Sequence, residues 1–254
     1  MSSWAPPRNV SETSPPGPIN LEATIYRPTG STPARLAIIN HGFATGRDLL
    51  LSYSFLREAR WLVAHGYAVI VPMRRGRGGS EGVYGEGTYT YDRRGWVIDY
   101  AQSVAGAVAD LDSAIAYGNS LPFVRSGPVL LLGHSRGGML AVHYAGLHPD
   151  RVLGVINFGG GWMGGPLTVL NMPLFVAAGN AARGRVPQLW LYADNDNFFA
   201  MTDVRAQLTA FVRAGGRARV ELVHAVPGDG HLLINYPALW QPAAEGFLAE
   251  LPPS

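Results

Sequence analysis

The sequence predicts an α/β protein: a three-layer sandwich in which helices cover both faces of a mostly parallel sheet of about eight strands. Three observations point there. Short, wholly apolar runs alternate with stretches of helical period, as when strands are buried on both faces. One apolar run, residues 129–132, passes through a tight glycine-flanked turn directly into a helical stretch. The chain has 254 residues, 47% of them hydrophobic, enough to bury one large core, so a single domain over residues 19–254 is expected.

The elements follow in order. Residues 1–18 are Ser/Pro-rich and carry neither a basic start nor an apolar signal core, so a flexible N-terminal extension is expected. Strands are expected at residues 21–26, 36–40, 68–72, 129–132, 152–158, 188–192 and 220–224. Helices are expected at 54–65, 96–117, 138–148, 201–214 and 237–250. The second helix carries Val97, Tyr100, Ala101, Val104, Val108, Leu111 and Ile115 at helical spacing, which marks a core-facing side. Between the strands ending near Phe158 and starting near Gln188, the connection leaves room for one helix and a small lid, and none for a large cap domain.

Composition removes several classes of function. Without cysteine there are no disulfides, thiol nucleophiles or cysteine-held metals. All 20 basic residues are arginines, scattered along a chain of net charge +2, and no basic helix or aromatic-interleaved stripe suggests nucleic acid as a partner. No apolar run has the length of a membrane span, so no integral membrane segment is expected. A cytoplasmic location is favoured slightly, with export after loss of a signal peptide as the alternative. Arg74, Arg75 and Arg77 form the densest basic group, read as a solvated or carboxylate-paired loop in preference to a clamp for a substrate anion.

The chemistry centres on Gly133-His134-Ser135-Arg136-Gly137. Glycines two residues either side of the serine let the chain turn sharply and leave its hydroxyl standing clear of the sheet edge. Gly78-Gly79-Ser80-Glu81-Gly82 has the same spelling, but neither a strand directly before it nor a helix after it, so context selects Ser135. A serine hydroxyl needs a base that is itself oriented by an acid. Strand 188–192 is followed by Asp194 and Asp196, and strand 220–224 by a glycine-rich loop ending in His231. Asp196 is preferred to Asp194 as the acid, because it lies a few residues beyond the strand; Asp194 is read as a turn residue bonding its own backbone. Asp229 is read as shaping the loop of His231.

Of the seven histidines, His231 is the candidate base. His224 is assigned to a strand, His65 to a helix end, and His143 and His148 are five apart, which does not stack metal ligands on one helix face. No metal and no cofactor is expected. Two backbone N–H donors are required for an oxyanion, and the candidates are those of Arg136, directly after the serine, and Phe43, in the loop after the second strand.

His41-Gly42-Phe43, the stretch from Arg75 to Gly82, Gly133 to Gly138, Asp196 and His231 together make residues 20–250 resemble the α/β-hydrolase superfamily, in particular its dienelactone hydrolase and prolyl-oligopeptidase-like esterase branches. The resemblance implies an acyl-enzyme on Ser135, proton relay through His231 held by Asp196, and deacylation by water. It also makes the Arg-Gly-x-Gly-x-Ser-Glu-Gly loop structural, which gives Ser80 a role outside catalysis. The chain departs from the dienelactone hydrolase pattern in having serine where that enzyme has cysteine, and no lipase-type His-Gly-Gly-Gly loop is present. Trp162, Met163, Phe198, Phe199 and Leu232 are expected to wall the pocket, and residues 84–96 to form a rim over it or a packed loop. A carboxylic ester hydrolase for small to medium, neutral or apolar esters is expected. A serine peptidase or amidase, with Glu81 and Glu86 as possible anchors for an amine, and a non-catalytic binding protein are the alternatives.

Overall fold

The computed structural model describes residues 19–252 except 87, 88, 93, 94 and 99. The expected extension at 1–18, and Arg93 and Arg94 of the expected rim, lie outside the described residues. Seven strands form the main sheet: β1 (Ala23–Tyr26), β2 (Arg35–Asn40), β3 (Tyr67–Pro72), β6 (Val129–His134), β7 (Val152–Phe158), β8 (Pro187–Ala193) and β9 (Arg217–Val223). Between β3 and β6 in the chain, β4 (Tyr89–Asp92) and β5 (Gly95–Ile98) pair with each other as a separate antiparallel ribbon. The sheet order is β1-β3-β2-β6-β7-β8-β9, parallel throughout except for the antiparallel edge strand β1. Seven strands, where about eight were expected, reproduce each of the seven runs singled out in the sequence.

The helices are α1 (Leu56–Ala64), α2 (Tyr100–Ser120), α3 (Arg136–Leu147), α4 (Met172–Ala182), α5 (Met201–Arg213) and α6 (Pro237–Glu250). The expected helix over 96–117 begins at Tyr100 instead, because residues 95–98 are taken up by the ribbon. The connection between β7 and β8 folds as a 3-10 turn, Gly165–Asn171, leading into α4, with Pro173 in the first helical turn where its missing N–H costs nothing. No separate cap domain is present among the described residues.

Alternate residues of the central strands feed two cores. Leu36 and Ile38 of β2 pack with α2, α3, α4 and α5; Ala37 and Ile39 pack with α1 and α6. The second core is centred on Trp240, fully buried and edge-on to Trp61 and Phe158 at 5.1 Å each. Burial on both faces explains why β2, β3 and β8 read as unbroken apolar runs.

From β2 the chain moves outward through α1 to β3, then returns through α2 to β6 on the other side of β2. The carboxyl ends of β2 and β6 therefore flank a topological switch point, where an open α/β sheet leaves a crevice.

Candidate active site

Ser135 occupies the turn between β6 and α3 with φ +56° and ψ −122°, a backbone conformation that side chains other than glycine rarely adopt. Four backbone bonds hold it there: its N–H donates to the Phe158 carbonyl at 2.9 Å, and its carbonyl accepts from Gly138, Met139 and Gly161. The flanking glycines are required by close approach. A Cβ on Gly133 would lie 2.1 Å from the Gly137 carbonyl oxygen, and one on Gly137 would lie 2.2 Å from that of Asn40. Ser135 thus stands at the mouth of the switch point.

Asp196 and His231 are brought together from the loops after β8 and β9. Asp196 Oδ2 lies 3.1 Å from His231 Nδ1, and both side chains are buried. Because the carboxylate accepts, Nδ1 carries the proton and Nε2 is the basic nitrogen. The other Asp196 oxygen accepts from the backbone N–H groups of Phe198 at 2.7 Å and Phe199 at 2.9 Å, so the carboxylate cannot rotate freely. The two loops are laced together: Asn195 donates to the Val226 carbonyl, Gly230 N–H to the Asn195 carbonyl, and Asn197 N–H to Asp229 Oδ1 at 3.2 Å, while the same oxygen accepts from His231 N–H at 2.9 Å. Burial works against the charge of Asp229, but the N–H groups of His231 and Asn197 outweigh it and lower its pKa. Gly159, at φ +50°, closes the far side; a Cβ there would sit 3.3 Å from His231 Nδ1.

His134 packs its ring against that of His231 at 4.8 Å and donates Nε2–H to the His231 carbonyl at 2.7 Å. Burial first, and then the neighbouring His231, lower its pKa to about 4, so it stays neutral. Phe198 and Phe199 flank the His231 ring at 4.5 and 5.3 Å.

Ser135 and His231 line one cavity of about 770 Å³. Phe198 and Leu232 line it as well. Trp162, Met163 and Phe199 do not; they are buried in the core on the α2–α5 side of the sheet. The opposite wall is residues 52–58, from the connection before α1 and its first turn, which sequence reasoning missed. Glu58 is the single carboxylate among the described lining residues; burial raises its pKa.

The loop after β2 is held by arginines. Arg74 pairs with Glu86 and donates Nη1–H to the His41 carbonyl at 2.8 Å, and Arg75 pairs with Asp110 at 2.7 Å. The carboxylate-paired reading holds for these two; Arg77 differs and pairs with no carboxylate among the described residues. Arg136 bonds the carbonyls of Trp162 and Glu86 and stacks its guanidinium on the Phe43 ring at 4.1 Å. Phe43 lines the cavity, and Gly42 abuts the serine so closely that a Cβ on it would lie 3.1 Å from Ser135 Cβ.

Other residues fall where their structural roles require. Ser80 Oγ donates to the Met73 carbonyl at 2.6 Å and accepts from Glu22 N–H. His65 caps α1 with its ring on the Trp61 carbonyl. Asp194 takes a backbone bond from Asn195 in its own turn, as expected, but its first partner lies outside that turn: it accepts from His224 Nδ1 at 2.7 Å, because β9 ends at Val223 and leaves His224 outside the strand. Glu81 is held by Asn20 and Glu86 by Arg74, and neither lines the cavity.

The model of the family described as serine aminopeptidase, S33, matches residues 32–177, more than half of the chain. The chain belongs to the serine aminopeptidase S33 family. As an S33-family member it is an α/β-hydrolase, and its fold is similar to that of solved structures. A proposed dienelactone hydrolase of Klebsiella pneumoniae is 20% identical with TM-score 0.60, covering 91% of this chain and 90% of that one. Est1E of Butyrivibrio proteoclasticus, solved with ferulic acid, is 18% identical with TM-score 0.61 and coverage of 91% and 96%. Esterase 2 of Thermogutta terrifontis is 18% identical with TM-score 0.59 and coverage of 92% of each chain. No curated protein matches this S33-family chain significantly.

Proposed function

We propose that the protein is a carboxylic ester hydrolase in which Ser135 is the nucleophile, His231 the general base and Asp196 the acid that orients it. The observation that carries the reading is the buried Asp196–His231 pair, which leaves Nε2 as the basic nitrogen of a histidine lining the same cavity as the strained Ser135. Ser135 Oγ attacks the ester carbonyl carbon as its proton passes to His231 Nε2. The carbonyl oxygen becomes an oxyanion, held by the backbone N–H groups of Phe43 and Arg136. The Arg136 N–H opens α3 and so has no acceptor within the helix, while the helix dipole favours negative charge there. Collapse expels the alcohol, protonated by His231, and water then attacks the acyl-enzyme by the same route.

The cavity favours small to medium, neutral or apolar esters: Phe43, Phe55, Leu56, Phe198, Leu232 and Ile234 supply most of its apolar lining. Fold neighbours that are esterases, one solved with ferulic acid and one phosphorylated by paraoxon, support an ester substrate by analogy of fold. One observation favours a second reading, an aminopeptidase. Glu58 lines the cavity and forms no ion pair among the described residues, so it is placed to receive a substrate ammonium.

Turnover of p-nitrophenyl butyrate against alanine p-nitroanilide separates the two. Ester turnover at least about tenfold faster, a difference of about 1.4 kcal/mol in barrier, is expected. Faster anilide turnover that Glu58→Gln abolishes would replace the esterase reading by the peptidase one.

A further inference from the structure

Arg77 is an expensive residue in an unusual place. Its side chain has no exposed surface, yet its Nε and Nη2 have no hydrogen-bond partner, and no carboxylate forms an ion pair with it among the described residues. Tyr53 and Tyr84 flank the guanidinium at 5.9 and 5.7 Å. Glu86 attracts Arg77 from beyond ion-pair distance; burying a cation without a paired counter-charge is costly, and the neighbouring arginines 74 and 75 avoid that cost by pairing with Glu86 and Asp110.

The side-chain hydrogen bond that Arg77 makes among the described residues goes from Nη1 to the Gly42 carbonyl, at 3.3 Å. That oxygen also accepts from His41 Nδ1 at 2.9 Å and lies 3.4 Å from Arg74 Nη2. Burial, and then Arg74 and Arg77, hold the His41 pKa well below its ordinary value, so His41 contributes a neutral donor and the charge comes from the arginines. The Gly42 carbonyl and the Phe43 N–H are the two ends of one planar, conjugated peptide group. Positive charge at the oxygen withdraws electron density along that group, and a carbonyl already engaged in hydrogen bonds makes its own N–H a stronger donor.

We propose that Arg77 is a positioning residue for the oxyanion-binding peptide: its unpaired guanidinium fixes and polarises Gly42–Phe43, so that the Phe43 N–H binds the developing oxyanion more strongly. The inference rests on the reading of Phe43 as an oxyanion donor. A bystander that only cross-links loops would support stability and leave the stabilisation of negative charge untouched.

The test uses an alkyl trifluoromethyl ketone labelled with ¹³C at its carbonyl, which adds Ser135 Oγ to form a hemiketal whose ionisation is followed by NMR against pH. Arg77→Gln and Arg77→Met remove the charge; Arg77→Lys retains it. Folding is checked by Tm and by adduct formation at Ser135. In a folded neutral variant the hemiketal pKa rises by about one unit. Its ester kcat falls about tenfold, less than the 10²–10³ typical of losing an oxyanion donor outright. KM stays within about twofold, as expected for an interaction made in the transition state. Arg77→Lys keeps a hemiketal pKa close to wild type.

A folded neutral variant with an unchanged hemiketal pKa, or with KM raised and kcat retained, overturns the proposal. If neither neutral variant folds, Arg77→Lys decides: a wild-type hemiketal pKa supports the role of charge, and a raised one refutes it. Wild-type protein that forms no hemiketal at Ser135 would instead sink the triad reading, and this inference with it.

Discussion

Asp194 and Asp196 stand two residues apart after the same strand, and each holds a histidine. Asp196 reaches a buried histidine lining the cavity; Asp194 reaches His224, whose side chain is largely exposed. The account therefore expects Asp196→Asn to lower kcat by about 10³–10⁴ through loss of the correct His231 tautomer. Asp194→Asn is expected to stay within severalfold, as read by ester hydrolysis on both variants. An Asp194→Asn variant with the larger loss would reverse the assignment. The pairing of Asp196 with His231 was legible because distance beyond the strand end is a local property. The partner of Asp194 was not, since it depends on β9 ending one residue earlier than its apolar pattern suggests. Trp162, Met163 and Phe199 show another limit: large apolar residues near a sheet edge read alike whether they face a cavity or, as here, the core.

At the scale of elements, β6, its turn and α3 form the most legible unit, because apolar run, glycines, serine and helix are consecutive in sequence. The spacing is enforced from outside the unit. Gly137 meets the carbonyls of Asn40 and His41 at the end of β2, where a Cβ would lie 2.2 and 2.5 Å from the oxygens. Gly137→Ala is expected to cost about 3 kcal/mol, or about 6–12 °C in Tm. Gly85→Ala, where a Cβ meets nothing within 4 Å, serves as the control and should leave Tm nearly unchanged. Equal Tm values for the two variants would contradict the packing described. The β4–β5 ribbon was not legible, because Trp96, Val97 and Ile98 suit a strand as well as the first turn of the helical pattern that continues from Tyr100. Nor was the wall at residues 52–58: it faces the serine only because β2 and β6 are neighbours in the sheet.

For the whole molecule, the class of fold followed from apolar runs, each of which proved to be a strand, the central ones with a helix layer on both sides. The strand order is a product of long-range pairing and could not be read from local pattern. It is the order that places the ends of β2 and β6 side by side, and with them the Gly42–Phe43 peptide against Ser135. The loops after β8 and β9 then bring His231, with Asp196 behind it, to the cavity of Ser135, and the proposed mechanism makes these residues, nearly a hundred positions apart in the chain, one reacting unit. Labelling with a fluorophosphonate probe, located by peptide mass spectrometry, tests that unit most directly. The account predicts one adduct, on Ser135, formed by the wild-type protein and lost in His231→Ala; no adduct, an adduct on Ser80, or undiminished labelling of His231→Ala would contradict it.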